Sequence, residues 1–335
     1  MTNKMISPAL LLGLSPIAIV LTLLASIMYG AKSMDWTAVR DAFLNFDPGN
    51  VDHQIVLHSR LPRAAGSLLI GGFLAMSGAI MQGMTRNYLA SPSIMGVTDG
   101  AAFAITLCMV LLPNASSMTL IASSFAGSAL GASVVFILAW MMPGGLSPVR
   151  MAILGTIIGT FLSSVSAALS IYFHVSQNVS FWFNARLHQM DPGLIKLVIP
   201  FAVVGIAVAL MLAKSITIIS LGDDIAAGLG QRTLWVKIGA MCCVAVLTGV
   251  SVAMAGKIAF VGLLIPHIVR YLVGVDYRWV IPCAGVTGAV FLGLSDILSR
   301  FLNYPFETPI GVVTSAVGIP FFLYLIRKKG GNEHA

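Results

Sequence analysis

The chain has 335 residues, of which 58% are hydrophobic and only 9% charged, with a mean hydropathy of +0.94 and a formal net charge of +7. A soluble domain carries roughly 25% charged residues, so this chain lacks the polar surface to stand in water as a monomer. A soluble enzyme, a secreted disulfide scaffold, a disordered regulator and a nucleic-acid binder are excluded, and an all-α polytopic membrane protein is expected.

A helix crossing the ~30 Å hydrocarbon core needs about 20 apolar residues. Ten runs qualify, at about 8–29, 61–83, 92–112, 118–142, 149–173, 194–213, 234–254, 258–273, 279–299 and 308–326. The run 258–273 is the weakest, being short and interrupted by Pro266 and His267. The first run follows Lys4 but is too long for a signal-peptide core and ends without a small-residue cleavage site, so it reads as a retained span. No gap holds a folded soluble domain, so residues 1–335 read as one transmembrane domain.

Basic residues set the orientation. With both termini on the cytoplasmic side, that side collects eleven Lys and Arg residues and the other side eight. The cluster Arg327-Lys328-Lys329, directly after the last run, is the strongest single indicator. The segment 31–60 then becomes an outer loop and 214–233 an inner one.

Within the runs, the GxxxG spacings Gly127–Gly131 and Gly155–Gly159 and the series Gly66, Gly71, Gly72 and Gly78 predict close helix contacts. Pro266, Pro309 and Pro320 are placed to kink or break helices. Cys108, Cys242, Cys243 and Cys283 lie in apolar runs and read as small buried hydrophobes, with no metal-ligand spacing. The main ionisable groups inside the runs are Asp99 and Asp296, with His267 nearby. Asp296 stands four residues before Arg300, which predicts a local ion pair near the membrane boundary.

Three connecting segments carry further information. In the outer loop, Trp36, Val39, Phe43 and Leu44 recur at helical spacing and predict a short interfacial helix. The segment 174–193 mixes aromatic with polar residues, among them Trp182, Asn184 and Arg186, and reads as a vestibule or an interfacial belt. In the inner segment, Ser220 and Asp223 have capping-box spacing ahead of Ile225, Ala226, Ala227 and Leu229, and Gly228 and Gly230 end the helix. An exposed helix with an apolar face predicts a docking site for a cytoplasmic partner. The chain has no G-x-x-x-x-G-K-[ST] phosphate loop, so ATP-driven transport would need an ATPase on another chain.

Arg60-Leu61-Pro62-Arg63, Ser77-Gly78-Ala79, Met81-Gln82-Gly83, Arg86-Asn87-Tyr88-Leu89-Ala90, Gly96-Val97, Ser220-Leu221-Gly222-Asp223, the run Phe260 to Arg270 with Pro266-His267, and Pro309 to Thr314 with Pro320-Phe321-Phe322 occur in that order. Over about residues 8–329 the chain resembles the FecCD-type permeases of bacterial ABC importers for ferric siderophores, haem and vitamin B12. The resemblance implies a type II ABC importer permease of about ten helices in the cytoplasmic membrane. It implies a dimer with a second copy or a related permease, and two cytoplasmic ATPase subunits that bind ATP and Mg. It also implies an extracytoplasmic substrate-binding protein, with a ferric siderophore as cargo. The chain itself would bind no cofactor or metal and would not be an enzyme; its other neighbour is membrane lipid.

The same resemblance assigns Arg60, Arg63 and Arg300 to docking of the binding protein through its acidic residues. It assigns Gly222, Asp223, Asp224, Ala227 and Leu229 to ATPase coupling, and Asn87, Leu89 and Ser147 to a cytoplasmic gate. Tyr88 stands where such permeases usually carry proline, and after Trp182 the residues Phe183 to Arg186, with Asn184, stand in place of the usual Gly-Ser or Gly-Gly where substrate passes. Trp182, Asn184 and Arg186 are expected along the translocation path, with Asn184 and Arg186 accommodating an anionic ferric siderophore. Alternatives within the sequence reading are haem or vitamin B12 as cargo, and a proton-coupled secondary transporter with Asp99 as relay.

Overall fold

The computed structural model describes residues 6–30, 32–92, 96–142, 148–185, 187, 190, 192–304 and 306–330. The described residues form fourteen α-helices in chain order: α1 (Pro8–Met28), α2 (Trp36–Leu44), α3 (Val51–Ile55), α4 (Leu61–Thr85), α5 (Val97–Leu111), α6 (Ser117–Met141), α7 (Pro148–Tyr172), α8 (Ser176–Ala185), α9 (Pro192–Ile219), α10 (Asp223–Gly228), α11 (Thr233–Ala255), α12 (Val261–Val273), α13 (Tyr277–Ser299) and α14 (Ile310–Gly330). One π-helical turn, Val56–Arg60, joins α3 to α4.

Each of the ten apolar runs becomes one helix. Seven helical stretches are long and apolar enough to cross a membrane, and α5, α12 and the apolar part of α14 are shorter. The chain is a multi-pass membrane protein. The largest boundary difference is in α9, which continues past the expected end at 213 to Ile219 and carries an exposed Lys214 within its last two turns. A lysine stem lies along apolar helix surface while its ammonium reaches water, so that charge does not end the helix. The segment 174–193 likewise contains a helix, α8. In α2, Val39 and Ala42 are buried while Trp36, Phe43 and Leu44 face outward.

Helix α4 is the centre of the bundle, and nearly every residue from Ala64 to Thr85 is buried. It can be central because its neighbours approach it at backbone distance. A Cβ added to Gly71 would overlap the Gly288 carbonyl of α13, and one added to Gly78 would overlap the Gly262 carbonyl of α12. Gly100 of α5 faces Gly127 and Gly131 of α6 in the same way. Lipid tails are as apolar as the side chains, so helix association rests on such close packing.

The helix α12 is only 13 residues long, about 20 Å at 1.5 Å per residue, and cannot cross the hydrocarbon core alone. It is entered from α11 through Gly256 (φ 73°) and Phe260 (φ 69°). The left-handed conformation is unusual for a bulky residue such as phenylalanine. Gly318 of α14 leaves room for the Phe260 ring, which would collide with any larger residue there.

The expected result for Gly78→Ala is a loss of about 1–3 kcal/mol or more, as for overpacked cores, read as a lower melting temperature of the detergent-solubilised protein. Gly13→Ala in α1, where a Cβ meets nothing within 4 Å, is expected to leave the melting temperature unchanged or slightly raised.

Candidate functional site

Two polar clusters lie at opposite ends of α4. At its first turn, Arg63 points into the bundle and meets Asp296 of α13, a residue 233 positions later in the chain. Arg63 Nε donates to the two Asp296 oxygens at 3.0 and 3.2 Å and Nη2 donates to Oδ1 at 2.8 Å. The Asp296 side chain is fully buried. Arg300 Nη2 donates to its other oxygen, which completes the expected i,i+4 pair. The outer edge of the Arg63 guanidinium is taken by Glu307, with Nη1 on Oε1 at 3.0 Å and Nη2 near Oε2 at 2.8 Å.

The remaining donors close the end of α1. Arg300 Nη1 donates to the carbonyls of Ser26 (2.7 Å) and Tyr29 (2.9 Å), and Nη2 to Ser26 Oγ (2.8 Å). Arg60 Nη1 donates to the carbonyls of Ile27 (2.6 Å) and Met28 (3.0 Å), and Nη2 to the carbonyl of Lys32. The last carbonyls of a helix have no partner within it and carry the negative end of its dipole. Two guanidiniums therefore cap α1. The π turn Val56–Arg60 leads directly into α4 and delivers Arg60 to that position.

These are the three arginines that the resemblance assigns to docking of the binding protein. Arg60, Arg63 and Arg300 are all buried and already hold partners inside the chain. Charges this close to hydrocarbon are costly unless paired, and the fold provides the pairing from Asp296, Glu307 and the end of α1. Arg63 and Asp296 also line a cavity of about 590 Å³, bounded by Phe183, Lys257, Thr308 and the first turns of α14.

Asp99 is not an isolated acid. It stands in the first turn of α5 and accepts from Lys257 Nζ at 2.8 Å, and Lys257 lies 5.9 Å from the Phe183 ring centroid. Trp182 lines a cavity of about 280 Å³ with Asn178 and Phe181. Its ring is buried against Ile105, Cys108, Leu120, Ile121 and Ala253. Arg186 and Ser147 lie outside the described residues, as does the side chain of Asn184.

At the other end, α4 stops at Arg86, whose φ of 51° turns the chain into a short loop. Asn87 Oδ1 accepts from the Leu89 amide at 2.9 Å, and the Ala90 amide donates to the Asn87 carbonyl at 3.0 Å. Asn87 and Leu89 are exposed. Tyr88 lies over the Arg270 guanidinium, 4.1 Å from ring centroid to Cζ, with its edge toward His267 at 6.5 Å. Arg270 Nη1 donates to Gln82 Oε1 at 2.6 Å, and Gln82 Nε2 donates to the Leu263 carbonyl at 3.1 Å. Gln82 and Arg270 both stand in sequence motifs, and the fold pairs them; in the sequence neither had a visible partner.

Beside this loop lies α10. Its first residue, Asp223, accepts from Lys237 Nζ of α11 at 3.0 Å and lies 4.0 Å from Arg86. Ser220 does not cap the helix as its spacing predicts. Its hydroxyl donates back to the Thr217 carbonyl at 2.6 Å, and the N-cap position belongs to Gly222 (φ 135°). Ala226 faces inward, while Asp224 and Ala227 are exposed, and Ile225 is exposed together with Leu221 and Leu229 on either side of the helix. Nearby, Asp276 caps α13, and hydrogen bonds, chiefly from the Arg278 side chain, hold its carboxyl below the usual range.

Removal of the central carboxylate tests the arginine cluster. Asp296→Asn leaves Arg63 and Arg300 buried with one shared counter-charge fewer, and is expected to cost about 3–5 kcal/mol. Glu307→Gln removes a partly exposed partner and is expected to cost less than about 1 kcal/mol. Thermal melting of the purified protein distinguishes the two.

Residues 17–328 match the profile of the FecCD transport family. The chain is 61% identical over 320 residues to the iron-uptake system permease protein FeuB of Bacillus subtilis, covering 96% of each chain. It is 48% identical to the iron(3+)-hydroxamate import system permease protein FhuB of the same organism, over 91% of this chain and 79% of that one. The hemin transport system permease protein HmuU of Yersinia pestis is 32% identical over 98% of both. Among solved structures, a metal-chelate type ABC transporter in an inward-facing conformation superposes with a TM-score of 0.82 at 26% identity, covering 96% of this chain and 100% of that chain.

Proposed function

The chain belongs to the FecCD transport family, and from that membership we propose that it is the membrane-spanning permease subunit of an ATP-driven importer for a ferric siderophore in the bacterial cytoplasmic membrane. The chain supplies the passage. Two cytoplasmic ATPase subunits supply ATP, Mg and the hydrolysis, and an extracytoplasmic binding protein delivers the chelate. A second copy or a related permease completes the dimer. The ferric cargo accords with relatives named for iron, iron(3+)-hydroxamate and Fe(3+)-citrate uptake.

The observation that carries the reading is the exposed apolar patch made by Ile225 of α10 with Leu221 and Leu229, which flank the helix. A polar end of a membrane protein has no use for such a patch unless another protein covers it. In this reading α10 and both termini face the cytoplasm, and the arginine end receives the binding protein. Asp223 joins the docking helix to Arg86, and Arg86 begins the loop of Asn87 and Leu89. A displacement of α10 by the ATPase therefore reaches the gate loop through one ion pair.

The test is reconstitution in proteoliposomes with the ATPase and binding-protein subunits. Leu229→Asp is expected to cut ATPase association at least about 10-fold, as loss of an interface anchor does, with an unchanged melting temperature because Leu229 is exposed. Association that survives this change overturns the coupling assignment. Arg86→Ala is expected to keep the ATPase bound while uptake per ATP falls. Uptake that persists without ATP and collapses with an uncoupler would replace the reading with a proton-driven carrier.

A further inference from the structure

The arginine cluster contains three cations, Arg60, Arg63 and Arg300, against two carboxylates, Asp296 and Glu307. One positive charge is left over at the end of the bundle that the proposed function turns outward. The three arginines differ in what it would take to free them. Arg60 and Arg300 are spent on the last carbonyls of α1, and withdrawing either would leave buried acceptors unpaired. Asp296 is fully buried and held by two guanidiniums. Glu307 is different. Its side chain is 28% exposed, and it belongs to the connection between α13 and α14. That connection is anchored next to it by the Thr308 amide on the Ser299 carbonyl at 3.0 Å.

We infer that Glu307 is an internal stand-in for an acidic side chain of the binding protein, occupying the outer edge of Arg63 until the partner's carboxylate displaces it. The inference rests on the reading that a binding protein docks at this end. The two carboxylates on Arg63 then have separate duties: Asp296 keeps the guanidinium oriented, and Glu307 gives way. Exchange is feasible because it replaces one charge-assisted carboxylate–guanidinium contact by another. The released Glu307 turns to water with its backbone still tethered at Thr308, and the buried pairs are untouched. Arg63 also lines the cavity of about 590 Å³, which gives an incoming side chain room to approach. Of the three arginines, docking therefore belongs to Arg63, while Arg60 and Arg300 hold α1. Glu307 sets the affinity by competing, which keeps the partner's hold weak enough to release.

The experiment measures the affinity of the complete permease–ATPase complex in nanodiscs for the binding protein that stimulates its ATPase, across a salt series. Glu307→Gln is expected to tighten binding by about 5-fold, since one competing charge is removed, and Arg63→Gln to weaken it by at least about 10-fold. The double variant is expected to match Arg63→Gln alone, because Glu307 acts only through Arg63. If Glu307→Gln weakens binding or leaves it unchanged while Arg63→Gln weakens it, the competition is overturned and docking at Arg63 stands. If neither change alters affinity, docking at Arg63 itself is wrong. If Arg63→Gln does not fold, Glu307→Gln against Glu307→Asp decides. Tighter binding for the first and wild-type binding for the second supports the exchange, and equal binding by both and the wild type overturns it.

Discussion

A single buried carboxylate organises one end of this protein. Asp296 has no exposed surface and neutralises parts of two guanidiniums that reach it from different helices, Arg63 of α4 and Arg300 at the end of α13. An ionised group in such a place is stable only with partners and further hydrogen bonds. The remaining donors of Arg300 go to α1, so one ionic centre fixes three helices at once. Arg60 closes the same helix end from the π turn. The cluster specifies position more than it adds stability, because the desolvation of four charged groups offsets much of their attraction.

What the ionic cluster does at one end, absent side chains do along the middle. Gly71 and Gly78 let α13 and α12 reach the α4 backbone. Carbonyl oxygens then lie where a methyl group would be, and dispersion between well-fitted surfaces takes the place of the hydrophobic effect that lipid cannot provide. The glycines explain why α4 is buried on all sides although its sequence is no more apolar than that of its neighbours.

The helices were legible in the sequence because crossing hydrocarbon imposes a length and a composition that few other segments meet. The weakest run became the short α12, which keeps Pro266 within it and begins only after a left-handed turn at Phe260 that the sequence did not announce. What the sequence did not reveal was partnership. Arg63 and Asp296 are 233 residues apart, and Gln82 and Arg270 are 188 apart; no local spacing connects them. The arginine motif was visible, but its burial was not, since an arginine near a span end is compatible with either a wet or a paired environment. Tyr88 was visible as a departure, and only the fold shows that its ring covers the Arg270 guanidinium. Trp182 was placed along the passage by resemblance, and only the fold shows that it packs among α5, α6 and α11.

The two clusters share one helix. Arg63 stands at the first turn of α4 and Arg86 directly after its last residue, about 35 Å apart at 1.5 Å per residue. Between them α4 is clamped by backbone-to-backbone contacts to α12 and α13, which leaves it little freedom to bend. Interfaces packed this closely shift between discrete arrangements more readily than they deform. An event at Arg63 and an event at Arg86 therefore act on the same rigid body, and neither end can be repositioned without straining contacts at the other. In an importer that must not open both ends together, that shared rod is a physical basis for exclusion, and it needs no chain of intermediate side chains to transmit it.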